Sequence, residues 1–177
     1  MDERFEIRLS GSGGQGLILA GIILAEAAIL DGKNAVQSQS YGPEARGGAS
    51  RAEVIISNAN IDYPKITNTD VLLSLTEEAL LKYKYDLRDT GIIILDSSVS
   101  EPKGSYRILK VPILETAQNK VGKIIVANIV ALGVLTATTS VVTKEAIRKA
   151  VLARVPKGTE ELNTKALYEG FKLGKFN

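Results

Sequence analysis

The stretch FEIRLSGSGGQGLILAGIILAEAAIL, residues 5–30, decides how the rest of the chain is read. A short charged-and-apolar segment, Arg4–Leu9, reads as a strand. Four glycines follow within SGSGGQG, Ser10–Gly16. Leu17–Leu30 is then apolar on nearly every side, which predicts a buried helix. Gly11, Gly13 and Gly16 have the spacing G-x-G-x-x-G. Glycine allows unusual backbone angles and close approach of a ligand to the main chain. A helix start beyond such a loop offers unpaired N–H groups and a positive dipole end. Strand, loop and helix therefore predict an anion or nucleotide site, with a ligand-free tight turn as the plain alternative.

A dinucleotide site needs one thing more. An acidic residue should stand at the end of the second strand, about 20 positions on, to hold ribose hydroxyls. Asp31 has the count but falls in the DGKN turn, before that strand. The strand itself ends in QSQSYGP, and no acid follows until Glu44. The nicotinamide reading fails this test.

The chain has 177 residues, 45% of them apolar and 24% charged, with a net charge of +2. That is the size and composition of one domain with a substantial core. No block of like charges points to nucleic acid. Cysteine and histidine are both absent. That excludes disulfides, Cys-ligated iron–sulfur clusters, Cys/His zinc sites, a cysteine nucleophile and a Ser-His-Asp triad. Any redox chemistry must run on a borrowed group, and no residue is assigned a catalytic or metal-binding role. The opening MDERFEIRL has no secretory apolar region, and Leu17–Leu30 is too short to cross a membrane and carries Glu26. A cytoplasmic protein is expected.

Further along, Asp31-Gly32 stops the first helix, with Gly32 as its C′ residue. Strands are predicted over Ala35–Tyr41, Ala49–Ser57, Val71–Leu75, Gly91–Asp96 and Tyr106–Ile113. Helices are predicted over Glu77–Arg88 behind Thr76, Lys123–Thr138, Thr143 to about Ala153, and Glu160–Gly170 behind Thr159. Strands alternating with helices predict an α/β fold: a doubly wound, mostly parallel sheet with helices on both faces and a helical C-terminus. Asn128 is the lone polar break in its helix. It reads either as a satisfied core amide holding a loop backbone or as a ligand contact.

The second loop, SYGPEARGG at Ser40–Gly48, follows the second strand. Gly42-Pro43 fixes a turn, Glu44 and Arg46 project charge from it, and Gly47-Gly48 lets the chain double back. Loops at the carboxyl ends of strands line the crevice of such sheets, so the two loops should lie close together. The plain reading is a rigid turn with a solvated Glu/Arg pair.

GSGGQG before an apolar helix, then SYGPEARGG, then EVIIS (Glu53–Ser57) together resemble the gamma subunit of 2-oxoacid:ferredoxin oxidoreductases. The nearest likeness is to the 2-oxoglutarate type. It continues through VLLSLTEEAL, GIIILDSS, VPILETA and VANIVALGVL, and so covers nearly all of residues 1–177 as one pyruvate/ketoisovalerate oxidoreductase-type gamma domain. The resemblance implies oxidative decarboxylation of a 2-oxoacid to an acyl-CoA, with reduction of ferredoxin. It places thiamine diphosphate and iron–sulfur clusters on partner subunits and none on this chain. It implies alpha and beta partners, with delta as a further candidate, ferredoxin as the acceptor, and no nucleic acid or membrane. Coenzyme A is the ligand it suggests for this chain.

The residues expected to contact it are Gly11, Ser12, Gly13, Gly14, Gln15 and Gly16 in the first loop. Tyr41, Gly42, Glu44, Arg46 and Gly47 in the second, and Asn128, complete the set. Arg46 is the favoured charged contact, because a guanidinium fork suits phosphate. Ser12 either donates its hydroxyl to the anion or caps the helix. Gln15 either reaches the ligand or holds the Tyr41–Gly48 loop. The long apolar runs predict an obligate subunit that self-associates, as a surrogate homodimer, when made alone. The competing readings are a stand-alone nucleotide-binding oxidoreductase and a nucleotide-sensing regulatory module.

Overall fold

A computed structural model describes residues 4–39 and 48–175. Six strands form one mixed sheet in the order β2-β3-β1-β4-β5-β6. They are β1 (Arg4–Ser12), β2 (Asn34–Gln39), β3 (Ala49–Ser57), β4 (Thr69–Ser74), β5 (Leu87–Asp96) and β6 (Arg107–Val111). β1, β4, β5 and β6 pair in parallel, as the alternation of elements predicts. β3 runs antiparallel to both of its neighbours. The doubling back expected at Gly47-Gly48 is thus a reversal of strand direction, and Gly48 takes φ +126 just before β3.

The helices are α1 (Leu17–Leu30), α2 (Glu77–Tyr83), α3 (Ile113–Glu115), α4 (Ala127–Thr139), α5 (Lys144–Arg154) and α6 (Glu160–Leu173). They are unevenly shared between the two faces of the sheet. Strand residues alternate in direction, so Ile7, Leu9, Val71, Leu73, Ile92 and Ile94 point to one side and join the larger core with α1, α4, α5 and α6. Leu72, Ile93 and Leu95 point to the other side and join a smaller cluster with Ala79, Leu80 and Tyr83 of α2, Ala49 and Val99.

The α1 bounds match the sequence reading, and Gly32 is left-handed at φ +75. Burial is one-sided rather than complete. Leu17, Ala20, Ile23, Leu24 and Ala27 are buried, but Ile29 and Leu30 in the last turn are each 57% exposed. α4 is buried from Ala127 through Thr136, because α6, α1 and α5 pack around it.

Thr76 and Thr143 cap α2 and α5 as expected, accepting the N–H groups of Ala79 and Ala146. Thr159 stands at the start of α6 but makes no side-chain cap. Its hydroxyl donates back to the Pro156 carbonyl instead. β6 ends at Val111, two residues before the expected Ile113. Pro112 follows, and the buried Asp96 carboxylate accepts the N–H of Leu114 at 2.8 Å, turning the chain into α3. A π-helical stretch, Thr116–Val121, continues it to Gly122.

Candidate functional site

β1 carries the glycine loop at its end, and two contacts fix the base of that loop. The hydroxyl of Ser10 donates to the Leu73 carbonyl at 2.9 Å, and the N–H of Leu75 donates to the Ser10 carbonyl at 3.0 Å. β1 is therefore tied to β4 where the chain leaves the sheet.

The loop then closes on itself. Gln15 Oε1 accepts the N–H of Ser12 at 2.8 Å, while the N–H of Gln15 donates to the Ser12 carbonyl at 3.3 Å. Gln15 lies so tightly over Gly11 that a Cβ there would stand 2.2 Å from Oε1. A side chain at Gly11 would push the Gln15 amide off the Ser12 N–H. Gly14 and Gly16 are required by backbone angle, at φ +86 and +73.

Gly16 is the N-cap of α1, and no side chain caps it. Ser12 does not cap the helix, because it stands four residues ahead of Gly16. The helical ladder begins with the N–H of Ala20 donating to the Gly16 carbonyl. Among the described residues, the N–H groups of Leu17, Ile18 and Leu19 have no partner, as geometry requires of a helix start. No acidic side chain lies in the first turn to compete for them. An uncapped 14-residue helix whose first turn opens beside two left-handed glycines favours a bound anion.

Asn128 reaches this loop from 112 positions away. Its Nδ2 donates to the Gly16 carbonyl at 3.1 Å, and the residue is only 5% exposed. A Cβ on Gly16 would lie 2.6 Å from that nitrogen. Asn128 therefore holds the loop backbone, the core-amide role its lone polarity suggested. Gln15 likewise braces its own loop.

A cavity of about 370 Å³ opens beside Gly14 and Gly16. Leu19, Ile129, Val155 and Leu162 give it apolar walls, and Lys123 and Asn163 add polar groups. Neither Lys123 nor Asn163 was singled out from the sequence. A lysine before an apolar run and an asparagine inside an amphipathic helix carry no local signal.

Tyr41, Gly42, Glu44, Arg46 and Gly47 lie outside the described residues. The segments on either side of them are placed by register. Ser12 pairs with Ala49, and Gln39 pairs with Ala52. The second loop therefore leaves and re-enters the sheet at the end where the glycine loop sits.

The thinly covered face carries a separate charged cluster. Arg8 is 4% exposed and binds Glu53 at 2.8 Å and Asp86 at 2.5 Å. Its guanidinium also sits 5.5 Å from the centre of the Tyr83 ring, with Arg51 on the same ring at 5.3 Å. Burial alone would lower the Arg8 pKa, but hydrogen bonds and charge from Asp86 and Glu53 raise it overall. The cluster ties β1, β3 and the end of α2 together and leaves Arg8 permanently charged.

The pyruvate ferredoxin/flavodoxin oxidoreductase family pattern matches residues 6–173. The chain is 50% identical over 177 residues to a 2-oxoglutarate synthase subunit KorC of Methanocaldococcus jannaschii, covering 97% of this chain and 95% of that protein. It superposes on the gamma subunit of a keto/oxoacid ferredoxin oxidoreductase from Geobacter sulfurreducens with a TM-score of 0.90. The identity there is 55%, with 97% of each chain covered. The fold also recurs within 2-oxoglutarate:ferredoxin oxidoreductase from Magnetococcus marinus, solved with 2-oxoglutarate, coenzyme A and succinyl-CoA bound. There the TM-score is 0.85 at 19% identity, over 98% of this chain and 31% of that one, so the likeness is one of fold.

Proposed function

The chain belongs to the pyruvate ferredoxin/flavodoxin oxidoreductase family, and on that premise we propose that it is the gamma subunit of a 2-oxoglutarate:ferredoxin oxidoreductase. In this reading it contributes a coenzyme A site and packs against subunits that carry thiamine diphosphate. The reaction joins a 2-oxoacid and coenzyme A to give an acyl-CoA and carbon dioxide, passing two electrons to ferredoxin. This chain supplies none of the redox groups. It holds the acyl acceptor.

One observation carries the proposal. The amides at the start of α1 have no side-chain cap, and close by in the loop a Cβ on Gly14 would meet nothing within 4 Å. A pyrophosphate needs several fixed N–H donors and room to approach the main chain, and both are present here. Gln15 and Asn128 hold that backbone in place from either side, so the donors need little rearrangement when an anion arrives. Arg46, from the second loop of the sequence, is the cation this reading assigns to the same phosphates.

The test is calorimetric titration of coenzyme A into the enzyme assembled with its partner subunits. Gly14→Asn adds a side chain over the amides while tolerating the left-handed angle better than other residues. Together with Arg46→Ala it should weaken coenzyme A by tenfold or more and raise its KM. Unchanged affinity and KM in both variants would remove the site from this chain. The chain purified by itself should not turn over a 2-oxoacid.

A further inference from the structure

We infer that the open edge of β2 and the flank of α1 above it form one docking surface, and that a second copy of this chain covers it. β2 ends the sheet, and among the described residues its only strand partner is β3. An open edge invites pairing, and proteins that keep it unpaired guard it with lysine, proline, a bulge or a covering loop. β2 has none of the first three. NAVQSQ carries no charge and no proline, and its register on β3 runs unbroken from Asn34 to Gln39.

α1 adds an apolar stripe beside this edge. Ile18, Ile22, Ala25 and Ile29 recur at the spacing of one helix face. Ile29 is 57% exposed, and Ile18 and Ile22 are only partly buried. Ala20, Ile23 and Ala27 lie round the opposite side, buried in the core that α1 shares with α4 and α5. Gly21, between the two sides, sits over the sheet. A Cβ there would lie 3.1 Å from the Ala52 Cβ on β3 and 3.5 Å from the Gln37 Cγ on β2. The stripe therefore overhangs the β2 end of the sheet. It holds no charge, because Glu26, the one charged residue of α1, turns to Arg154 of α5.

Whatever covers this surface must supply a strand edge and an apolar helix face together, in matching placement. An extended peptide would pair with β2 and leave the stripe bare. A lone helix would do the reverse. A two-fold axis at the edge satisfies both at once. It sets β2 antiparallel to its copy and lays the α1 stripe against its own copy on the same face of the joined sheet. Self-pairing also sets no like charges opposite one another at any register, since neither the edge nor the stripe holds any.

Sedimentation velocity on the full chain of 177 residues should show a dimer. Ile22→Lys brings two like charges together across the axis, at a position open enough to take lysine in the folded protomer. It should weaken dimerisation about tenfold or more and leave the circular dichroism spectrum unchanged. Amide exchange at residues 34–39 should be slow in the dimer and quicken on dilution. A chain monomeric at every concentration, a dimer that Ile22→Lys leaves intact, or exchange at 34–39 indifferent to dilution overturns the inference. So does protection of 34–39 that appears only on assembly with partner subunits, because another polypeptide's strand would then hold the edge. Should Ile22→Lys not fold, the dilution series on the unaltered chain decides alone.

Discussion

Replacing Gly16 by alanine should show how the loop is braced. Two costs add in the otherwise unaltered chain. A left-handed residue with a Cβ costs roughly 1–2 kcal/mol. The new methyl would also stand 2.6 Å from Asn128 Nδ2 and 3.0 Å from its Cγ, so the amide must leave the Gly16 carbonyl. Stranding a buried polar group costs about 1–3 kcal/mol more. Gly16→Ala alone should therefore lose about 2–5 kcal/mol. Asn128→Ala alone gives up the same hydrogen bond and should lose about 1–3 kcal/mol. With Asn128 already gone, the added methyl meets no amide, and only the backbone strain remains. The double variant should fall short of the sum of the singles by about 1–3 kcal/mol, the hydrogen-bond loss that the two singles share. Urea unfolding followed by circular dichroism, with unchanged m-values, measures all three. Losses that add to within about 0.5 kcal/mol would mean that Asn128 does not brace Gly16.

Other contacts give equally definite expectations. A Cβ on Gly170 would stand 2.2 Å from the Val130 carbonyl oxygen, so Gly170→Ala should force α4 and α6 apart. It should cost about 1–3 kcal/mol or more in urea unfolding. Arg8→Met leaves Glu53 and Asp86 facing each other without their shared cation and should lose roughly 3 kcal/mol, read by thermal unfolding. Burial raises the Asp70 pKa, only partly offset by the Glu6 N–H and Arg88. Its protonated form is thus favoured in the fold. Its contribution is present below the ordinary aspartate value and is lost as pH rises through the raised one. Asp70→Asn should flatten that part of a stability-versus-pH curve, and an unchanged curve would contradict the assignment.

Much of this architecture is legible in the sequence because the signals are local. The α1 bounds follow from an apolar run between Gly16 and Asp31-Gly32. Thr76 and Thr143 mark two helix starts correctly, because each hydroxyl has a free N–H three residues on. The failures are non-local. Gly170 reads as the end of the last helix, yet α6 runs on to Leu173. Gly170 is there for close packing, since its added Cβ would be 2.8 Å from the Gly133 Cα on α4. The antiparallel direction of β3 is set by pairing with both β1 and β2, which no single segment encodes. Within the site, glycine spacing and the polarity of Asn128 are visible in the chain. That Asn128 grips Gly16, and that Asn163 lines the same cavity, depends on how α4 and α6 pack.

Amide hydrogen exchange on the assembled enzyme, with and without coenzyme A, tests the central claim most directly. The account predicts slowed exchange at residues 13–19, where α1 begins with unpaired N–H groups. Exchange there that is indifferent to coenzyme A, with protection confined to the partner subunits, would contradict it.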